Sequence, residues 1–396
     1  MSAGTFISYS RKNLDEVITL AGELKARGLR LWQDISDLAP GRPTEEQIRA
    51  ALAEECGSFL VYLTPESLQS KYVMRVELQA ALDKWRQDRQ FTIIPVFRGL
   101  TIPQAGAATR SQTGRDITIF HGVMIPANIS GDSEEFRTSL GNAARQALAG
   151  SLERRAPIFK ADPSRRPVLD LHTRQYTARP TEADLDLDWR SFFKGRIAPS
   201  ALDCSATLLP ALESIRETIA STWGLRSVSV RAKAHISAGI ALGFAFRAPT
   251  GFHLTVEQNG DVWGTEVIPA SDNPLTVMET GGSIEAEDLA VQLSVAHDIS
   301  RDVDRFVQAR GEPFRARVTL QPHVGYGRKS VANAQQALSM AIQAAEVIRH
   351  IRDERRALRT HLFAAVPIGL AVLLGYQLNA CGPIQLYEYD KVRLTF

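Results

Sequence analysis

The run at residues 362–378, LFAAVPIGLAVLLGYQL, constrains this chain more than any other stretch. Its seventeen residues carry no charge, and Gln377 is the one strongly polar side chain among them. A helix that crosses a bilayer needs about 20 apolar residues, and this run falls short. Pro367 and Gly369 interrupt its middle and Gly375 its end, and it passes directly into GPIQLYEYDKVRLTF, whose alternation reads as a β-strand. The run therefore predicts a buried strand–turn–helix unit of a soluble protein, with no membrane as partner.

At 396 residues the chain has room for two or three domains. A content of 44% hydrophobic and 23% charged residues fits globular domains with a real core. Lys and Arg total 46 against 44 Asp and Glu, a net charge of +2, which argues against bulk nucleic acid or anionic lipid as a partner. A local basic pocket stays open. Cys56, Cys204 and Cys381 are far apart and lack zinc-ligand spacing, so no metal is expected and the thiols read as reduced. The opening MSAGTFISYSRKN lacks the pattern of a signal peptide, and a cytoplasmic protein is expected.

Residues 1–150 alternate strand-like and helix-like segments. TFISYS, LRLWQD, SFLVYLT, FTIIPVF and DITIFHGV read as strands, and helices are expected after Asn13, from the capping box TEEQ at Thr44, around residues 72–86 and around 133–149. The near-continuous apolar run in SFLVYLT suits a sheet covered on both faces. Repeated βα units predict an α/β fold with a doubly wound parallel sheet, which takes its ligand beyond the carboxyl ends of the strands. No GxGxxG follows TFISYS and no GxxxxGK[ST] occurs anywhere, so the common phosphate-cradling loops are absent.

FISYSRKN (residues 6–13), LRLWQD with the Gly/Pro loop after it, FLVYLTPESLQSKYVMRVEL (59–78) and IIPVF occur in the order and spacing of a Toll/interleukin-1 receptor (TIR) domain, which residues 3–150 resemble. The resemblance implies that Glu77, in SKYVMRVEL, stands where NAD-cleaving members carry their catalytic glutamate, with NAD+ as substrate and no cofactor. Val73 and Met74 depart from the family's usual Trp and Cys. Breaking the nicotinamide–ribose bond builds positive charge on the sugar, and a carboxylate beside it can stabilise that charge or trap the sugar. The alternative for Glu77 is a plain surface position on an amphipathic helix. Tyr9, Ser10 and Arg11 follow the first strand and are candidates for NAD+ binding. Trp32 reads either as a stacking surface or as a packing residue. Asp34 and Arg42 flank the next loop, which in TIR domains often mediates domain–domain contacts.

Past residue 150 the texture changes to SLERRAPIFKADPSRRP, charged and dotted with proline, which predicts a linker over 151–165 and a second domain over 166–396. This second part contains an internal echo. VSVRAKAHISAGIALGFAFRAPTGFHLTVE from Val228 and RTHLFAAVPIGLAVLLGYQLNACGPIQLYE from Arg359 both read as strand, small-residue turn, apolar helix and Gly-led strand, with Glu257 and Glu388 at matching places. Two such halves predict pseudo-symmetric α/β lobes facing a shared cleft.

AHISAGIALGFAF, LSVAHDISRDVDRFV and HLFAAVPIGLAVLLGYQLN with LYEYD resemble the SAVED domain, a two-lobed, CARF-like nucleotide sensor of bacterial antiphage effectors (the signalling class called CBASS). The resemblance covers residues 160–396 and implies a cyclic oligonucleotide as activator, cyclic tri-adenylate being one member of that class, and head-to-tail self-association into a filament or ring. For such a ligand Arg231, Lys233 and His235 sit just before a helix start, where amides and basic groups can hold phosphate together. His361 and Phe363 are expected to end the matching strand of the second repeat. Trp263, Tyr376 and Tyr389 can stack on bases at about 1–3 kcal/mol each, although strand packing for Trp263 and a core position for Tyr376 are open alternatives. The loop HVGYGRKS, with Arg328 and Lys329, reads as solvated or as a further phosphate contact. The expectation is a ligand-activated NAD+ glycohydrolase. The competing one is a non-enzymatic TIR scaffold.

Overall fold

The computed structural model describes residues 4–32, 44–175, 183–194, 197–327 and 329–389. Contacts divide the chain into two units: Met1–Arg165 with Asp184–Asp188 and Ala201–Leu225, and Arg166–Ala183 with Trp189–Ser200 and Arg226–Phe396.

The first unit runs β1 (Gly4–Ser8), α1 (Leu14–Ala26), β2 (Leu31–Trp32), α2 (Thr44–Ala50), β3 (Cys56–Leu63), α3 (Leu78–Gln87), β4 (Thr92–Arg98), α4 (Ile102–Thr113), β5 (Val123–Ile125) and α5 (Glu134–Ala161). The sheet order is β2-β1-β3-β4-β5 with every pair parallel. All eight residues of β3 are buried at the centre, which explains its unbroken apolar run.

Two elements differ from the sequence expectation. DITIFHGV is not one strand. Asp116 Oδ1 accepts from the Thr118 N–H at 2.9 Å and its hydroxyl at 2.6 Å, which draws Ile117–Ile119 into a 3-10 turn. The strand starts only after Gly122, where a Cβ would lie 2.3 Å from the Pro95 carbonyl oxygen. The helix expected over 133–149 begins on schedule, with Ser133 Oγ capping the Phe136 N–H, but it continues through Pro157 to Ala161. Packing carries it onward: the Trp223 indole donates to the Leu152 carbonyl at 2.7 Å and lies 4.1 Å from the Phe159 ring. Most of the stretch expected as a 151–165 linker is therefore helix.

The intervening β6 (Val168–His172), β7 (Leu185–Asp188) and α6 (Leu209–Thr218) lead into two sheets of the second unit. The first contains β8 (Ser227–Lys233), followed by α7 (Ile236–Ala245), β9 (His253–Gln258) and β10 (Asp261–Gly264), in the order β10-β9-β8-β6. The second contains β11 (Leu275–Gly281), β12 (Asp288–Ser294), α8 (Ser300–Arg310), β13 (Ala316–Pro322), α9 (Ala334–Arg355), β14 (Arg359–Ala365), α10 (Ile368–Gln377) and β15 (Ile384–Leu386), ordered β11-β13-β12-β14-β15. The hairpin strand β10 and the edge strand β11 are antiparallel to their neighbours, whereas β6, β8 and β9 are mutually parallel, as are β13, β12, β14 and β15.

The echo in the sequence is real in space. β8–α7–β9 and β14–α10–β15 are equivalent units, and their helices cross with backbone touching backbone. A Cβ on Gly243 would lie 2.0 Å from the Val372 carbonyl oxygen, and one on Gly375 would lie 2.1 Å from that of Ile240. Both glycines are the eighth residue of their helix, and each meets the fifth residue of the other, as a local two-fold axis requires. The apolar run at residues 362–378 is thus the second half of β14, a two-residue turn and α10 with the residue after it. Among the described residues no helix is long and apolar enough to cross a membrane.

Candidate functional site

In the first unit the candidate residue Glu77 is placed by a widened turn. Tyr72–Glu77 forms a π-helical segment before α3, a geometry frequent at functional sites. Ser70 starts it, accepting from the Met74 N–H through its carbonyl at 3.0 Å and from the Val73 N–H through its hydroxyl at 3.3 Å. Val73, Met74 and Val76 sink into the apolar core beneath the sheet. The positions where TIR domains usually carry Trp and Cys are therefore filled here by packing residues. Glu77 closes the segment at 6% exposure, and the Ser8 hydroxyl donates to its Oε2 at 2.5 Å. Ser8 is the wholly buried last residue of β1, so the carboxylate sits at the carboxyl end of that strand. The sequence reading singled out the three residues after Ser8 and missed Ser8 itself. A small hydroxyl at the carboxyl end of a buried strand was the signal.

Tyr9 is buried beyond β1, Ser10 precedes the turn Arg11–Asn13, and Arg11 is exposed. Trp32 stacks on Phe6 at 4.6 Å inside the core, which is the packing alternative. Asp34 and Arg42 lie outside the described residues. A cavity of about 420 Å³ opens at the carboxyl ends of β3 and β4, lined among others by Lys12, Asn13, Glu16, Thr64 and Arg98. Glu77 is not on its wall. Glu23, another deeply buried carboxylate of this unit, is paired with Arg27 and accepts from the Thr207 hydroxyl, both at 2.5 Å, and serves the packing of α1.

In the second unit the expected residues separate into two groups. Arg231, Lys233 and His235 come together at the carboxyl end of β8. Arg231 forks onto Asp170 of the neighbouring strand, Nε to Oδ1 at 2.6 Å and Nη2 to Oδ2 at 2.9 Å. Lys233 is exposed at the strand end. His235 precedes the first turn of α7, with its ring Nδ1 2.7 Å from the Thr173 hydroxyl and its ring stacked on Phe193 at 4.7 Å.

The second group does not reach that end. The strand β14 runs on to Ala365, so His361 and Phe363 are mid-strand and not at its end. Phe363 is wholly buried, stacked on Tyr387 at 4.6 Å. His361 bridges the Tyr387 hydroxyl (Nδ1, 2.7 Å) and Asp288 (Nε2, 2.9 Å), and Arg310 also donates to Asp288 at 2.7 Å. Burial holds His361 below its ordinary pKa despite Asp288. Asp288 stays below its own because hydrogen bonds from Arg310 and His361 outweigh its burial. Trp263 belongs to the apolar core, and the Tyr376 hydroxyl donates to the Phe252 carbonyl at 3.0 Å. Tyr389 is half-buried beyond β15, and Arg328 lies outside the described residues.

Gln258, which the sequence reading did not single out, and Glu388, which it did, join the two repeats. Gln258 Oε1 accepts from the Gly369 N–H at 2.8 Å, and Glu388 Oε1 accepts from the Ser237 N–H at 2.6 Å. Ser237 and Gly369 are the second residues of α7 and α10, so the strand that follows each helix caps the helix of the other repeat. The structural match of Glu388 is therefore Gln258. Glu257 is exposed and paired across the β9–β10 hairpin with Val262.

Comparison with known proteins places both units. Residues 5–119 match the TIR domain family, and residues 211–396 match SAVED, the SMODS-associated and fused to various effectors sensor domain. CD-NTase-associated protein 4 from an Acinetobacter species and from Moraxella osloensis are each 24% identical over 211 residues, 52% of this chain and 43% of theirs. The chain thus spans less than half the length of these curated relatives. The Acinetobacter baumannii Cap4 SAVED/CARF-domain containing receptor, solved with the cyclic trinucleotide 3′3′3′-cAAA, superposes with a TM-score of 0.51 at 16% identity, covering 96% of this chain and 95% of that one. The same receptor solved with 2′3′3′-cAAA gives 0.50 at the same identity and coverage. At that identity the likeness establishes a shared fold. The chain carries a TIR domain, residues 5–119, followed by a SAVED domain, residues 211–396.

Proposed function

We propose that this chain is a cytoplasmic, ligand-gated NAD+ glycohydrolase, in which the SAVED domain binds a cyclic oligonucleotide and the TIR domain cleaves NAD+ at Glu77. The observation that carries the reading is the buried Glu77 carboxylate, positioned by the Ser8 hydroxyl at the carboxyl end of β1 in a parallel sheet. Breaking the C1′–N bond sends the electron pair to the nicotinamide ring, which leaves neutral and needs no strong acid. The ribose is left as an oxocarbenium ion. A carboxylate fixed in a site away from bulk water stabilises that cation more than it stabilises the ground state. Water adds to C1′ and its proton passes to solvent, giving ADP-ribose. Attack by an adenine nitrogen instead gives a cyclic product.

On the sensor side, the relatives' structures with cyclic tri-adenylates support the same ligand class here. Lys233, the adjoining Arg174 and the starts of two helices supply charge and amides for phosphodiesters. A ligand switches the enzyme on only if it binds the assembled state more tightly than the single chain. Head-to-tail contacts then give a filament, or a ring where the rotation closes.

The test is nicotinamide release from NAD+ with and without a panel of cyclic oligonucleotides that includes 3′3′3′-cAAA. Release is expected only with ligand, and Glu77→Gln should lower it at least about 100-fold. The packing residues Val73 and Met74 favour a second reading, a TIR scaffold without chemistry. Assembly seen by light scattering with no nicotinamide under any ligand would establish that one.

A further inference from the structure

The parallel strands of the second unit finish at one common end. A Cβ on Gly239, the fourth residue of α7, would lie 2.7 Å from Cδ1 of Ile368, the first residue of α10. The two helix starts therefore lie side by side, and β8 and β14, which lead into them, end together. Parallel pairing brings the carboxyl ends of β12 and β13 beside that of β14. This is the end at which a parallel α/β sheet takes a ligand. Trp263 and Tyr376, two of the three rings expected to stack on bases, are buried, and Tyr389 is half-buried. We propose that Tyr326, in the loop after β13, is a stacking surface for a base of the ligand. This rests on the reading that the second unit binds a cyclic oligonucleotide.

A single exposed tyrosine is ordinary on a protein surface. Three observations set this one apart. The first is exposure: among the described residues of the second unit, only Tyr326 and Phe244 present an exposed Phe, Tyr or Trp ring. Phe244 is the ninth residue of α7, toward the far end of that helix, and the Arg247 guanidinium lies over its ring at 4.6 Å. Tyr326 is 53% exposed and makes no hydrogen bond, ion pair or ring contact among the described residues. The second is position. The Gly327 N–H donates to the Val295 carbonyl at 2.9 Å, and the Val295 and Ala296 N–H groups donate to the carbonyl of Ala365, the last residue of β14, at 3.0 and 2.7 Å. Two hydrogen-bonded steps thus tie the residue after Tyr326 to the strand end that leads into α10. The third is stiffness. The Gly325 N–H donates to the Pro322 carbonyl at 2.8 Å, and the hydroxyl of buried Ser330 donates to the Gly325 carbonyl at 2.7 Å. A ring on backbone held at both sides loses little freedom when a base settles on it, so more of the stacking energy goes into affinity.

The surroundings suit the same occupant. Val324, 75% exposed, adds apolar surface two residues before the ring. A patch of one ring and one valine falls far below the roughly 800 Å² that each partner buries in a stable protein interface, and it is comparable with one nucleobase. His297 and Arg301, both exposed, follow Val295 in the stretch to which the loop is bonded and can donate to phosphodiester oxygens.

The experiment is isothermal titration of 3′3′3′-cAAA into the full chain and into its Tyr326→Ala, Tyr326→Leu and Tyr326→Phe forms, with assembly followed by light scattering. Alanine is expected to weaken binding about tenfold and leucine nearly as much, because a base stacks on a π-face; phenylalanine should bind within about twofold of the parent. An unchanged affinity in Tyr326→Ala, while the parent binds, overturns the proposal and leaves the ligand reading standing. Loss of assembly at unchanged affinity does the same and makes the ring a contact between copies. Equal losses in all three forms, phenylalanine included, assign the effect to the hydroxyl and also overturn stacking. If Tyr326→Ala fails to fold, the affinity of Tyr326→Leu decides in its place. No binding by the parent or any folded variant overturns both readings.

Discussion

Glu77 and Glu388 are carboxylates of the same residue type, each accepting one short hydrogen bond from a different element, and they teach opposite lessons. Glu77 receives a side-chain hydroxyl at the end of β1, next to a sheet whose strand ends form an open face. Glu388 receives a backbone amide at the start of a helix in the other repeat. On the proposed function, the first arrangement holds a carboxylate for a cation that forms during reaction. The second uses a carboxyl oxygen to satisfy the protein's own backbone. Glu77→Gln should therefore lower nicotinamide release about 100-fold or more, whereas Glu388→Gln keeps an oxygen for the Ser237 N–H and should change stability by less than about 1 kcal/mol in urea unfolding. If both changes merely weakened function, the contrast would collapse into general destabilisation.

The next largest effect concerns what holds the two repeats together. Gly375→Ala places a Cβ 2.1 Å from the Ile240 carbonyl oxygen, and Gly243→Ala places one 2.0 Å from that of Val372. Because the obstacle is backbone, no rotamer relieves it, and each change should cost about 3 kcal/mol of stability in urea unfolding. A loss below about 0.5 kcal/mol would show that the helices separate freely and that their close crossing is not needed.

A smaller effect is expected from acid. The folded-state pKa of His361 is lowered from 6.5, so the unfolded chain binds that proton more readily. Its contribution is present above the unfolded value and is lost as pH falls below about 6.5. Asp288 is depressed from 3.8, and its contribution is lost only below that value. Urea midpoints measured at pH 7.5 and 5.5 should fall on acidification, and His361→Gln should reduce the drop. An equal drop in both proteins would remove His361 from the account. The smallest effect is at the surface pair Arg166–Glu266, 3.0 Å apart with both side chains well exposed. Arg166→Ala should change stability by less than about 1 kcal/mol, measured by the same unfolding.

Much of the architecture was legible. The alternating βα pattern predicted the parallel sheet, and the similarity of KAHISAGIALGFAF to AAVPIGLAVLLGYQL predicted two equivalent lobes. Where the reading missed, long-range contact decided. The 151–165 stretch looks like a linker until Trp223 and Phe159 hold it as helix. For Trp32 the two readings, stacking surface and packing residue, stay open until Phe6 lies 4.6 Å beneath it. Register also escaped the sequence: alignment pairs Glu257 with Glu388, while the helix caps pair Gln258 with Glu388, one residue away and on the other side of the strand.

What the sequence determined by itself is most of the elements and the place of Glu77 within a TIR-like motif, because periodicity and local turn chemistry act over a few neighbouring residues. The tertiary structure alone decided which groups face one another. Ser8 meets Glu77 across 69 residues and Ser237 meets Glu388 across 151. Such pairs depend on strand order, on register and on how closely two helices approach. At α7 and α10 that approach is set by a glycine in each helix, at a distance where any side chain would collide with backbone.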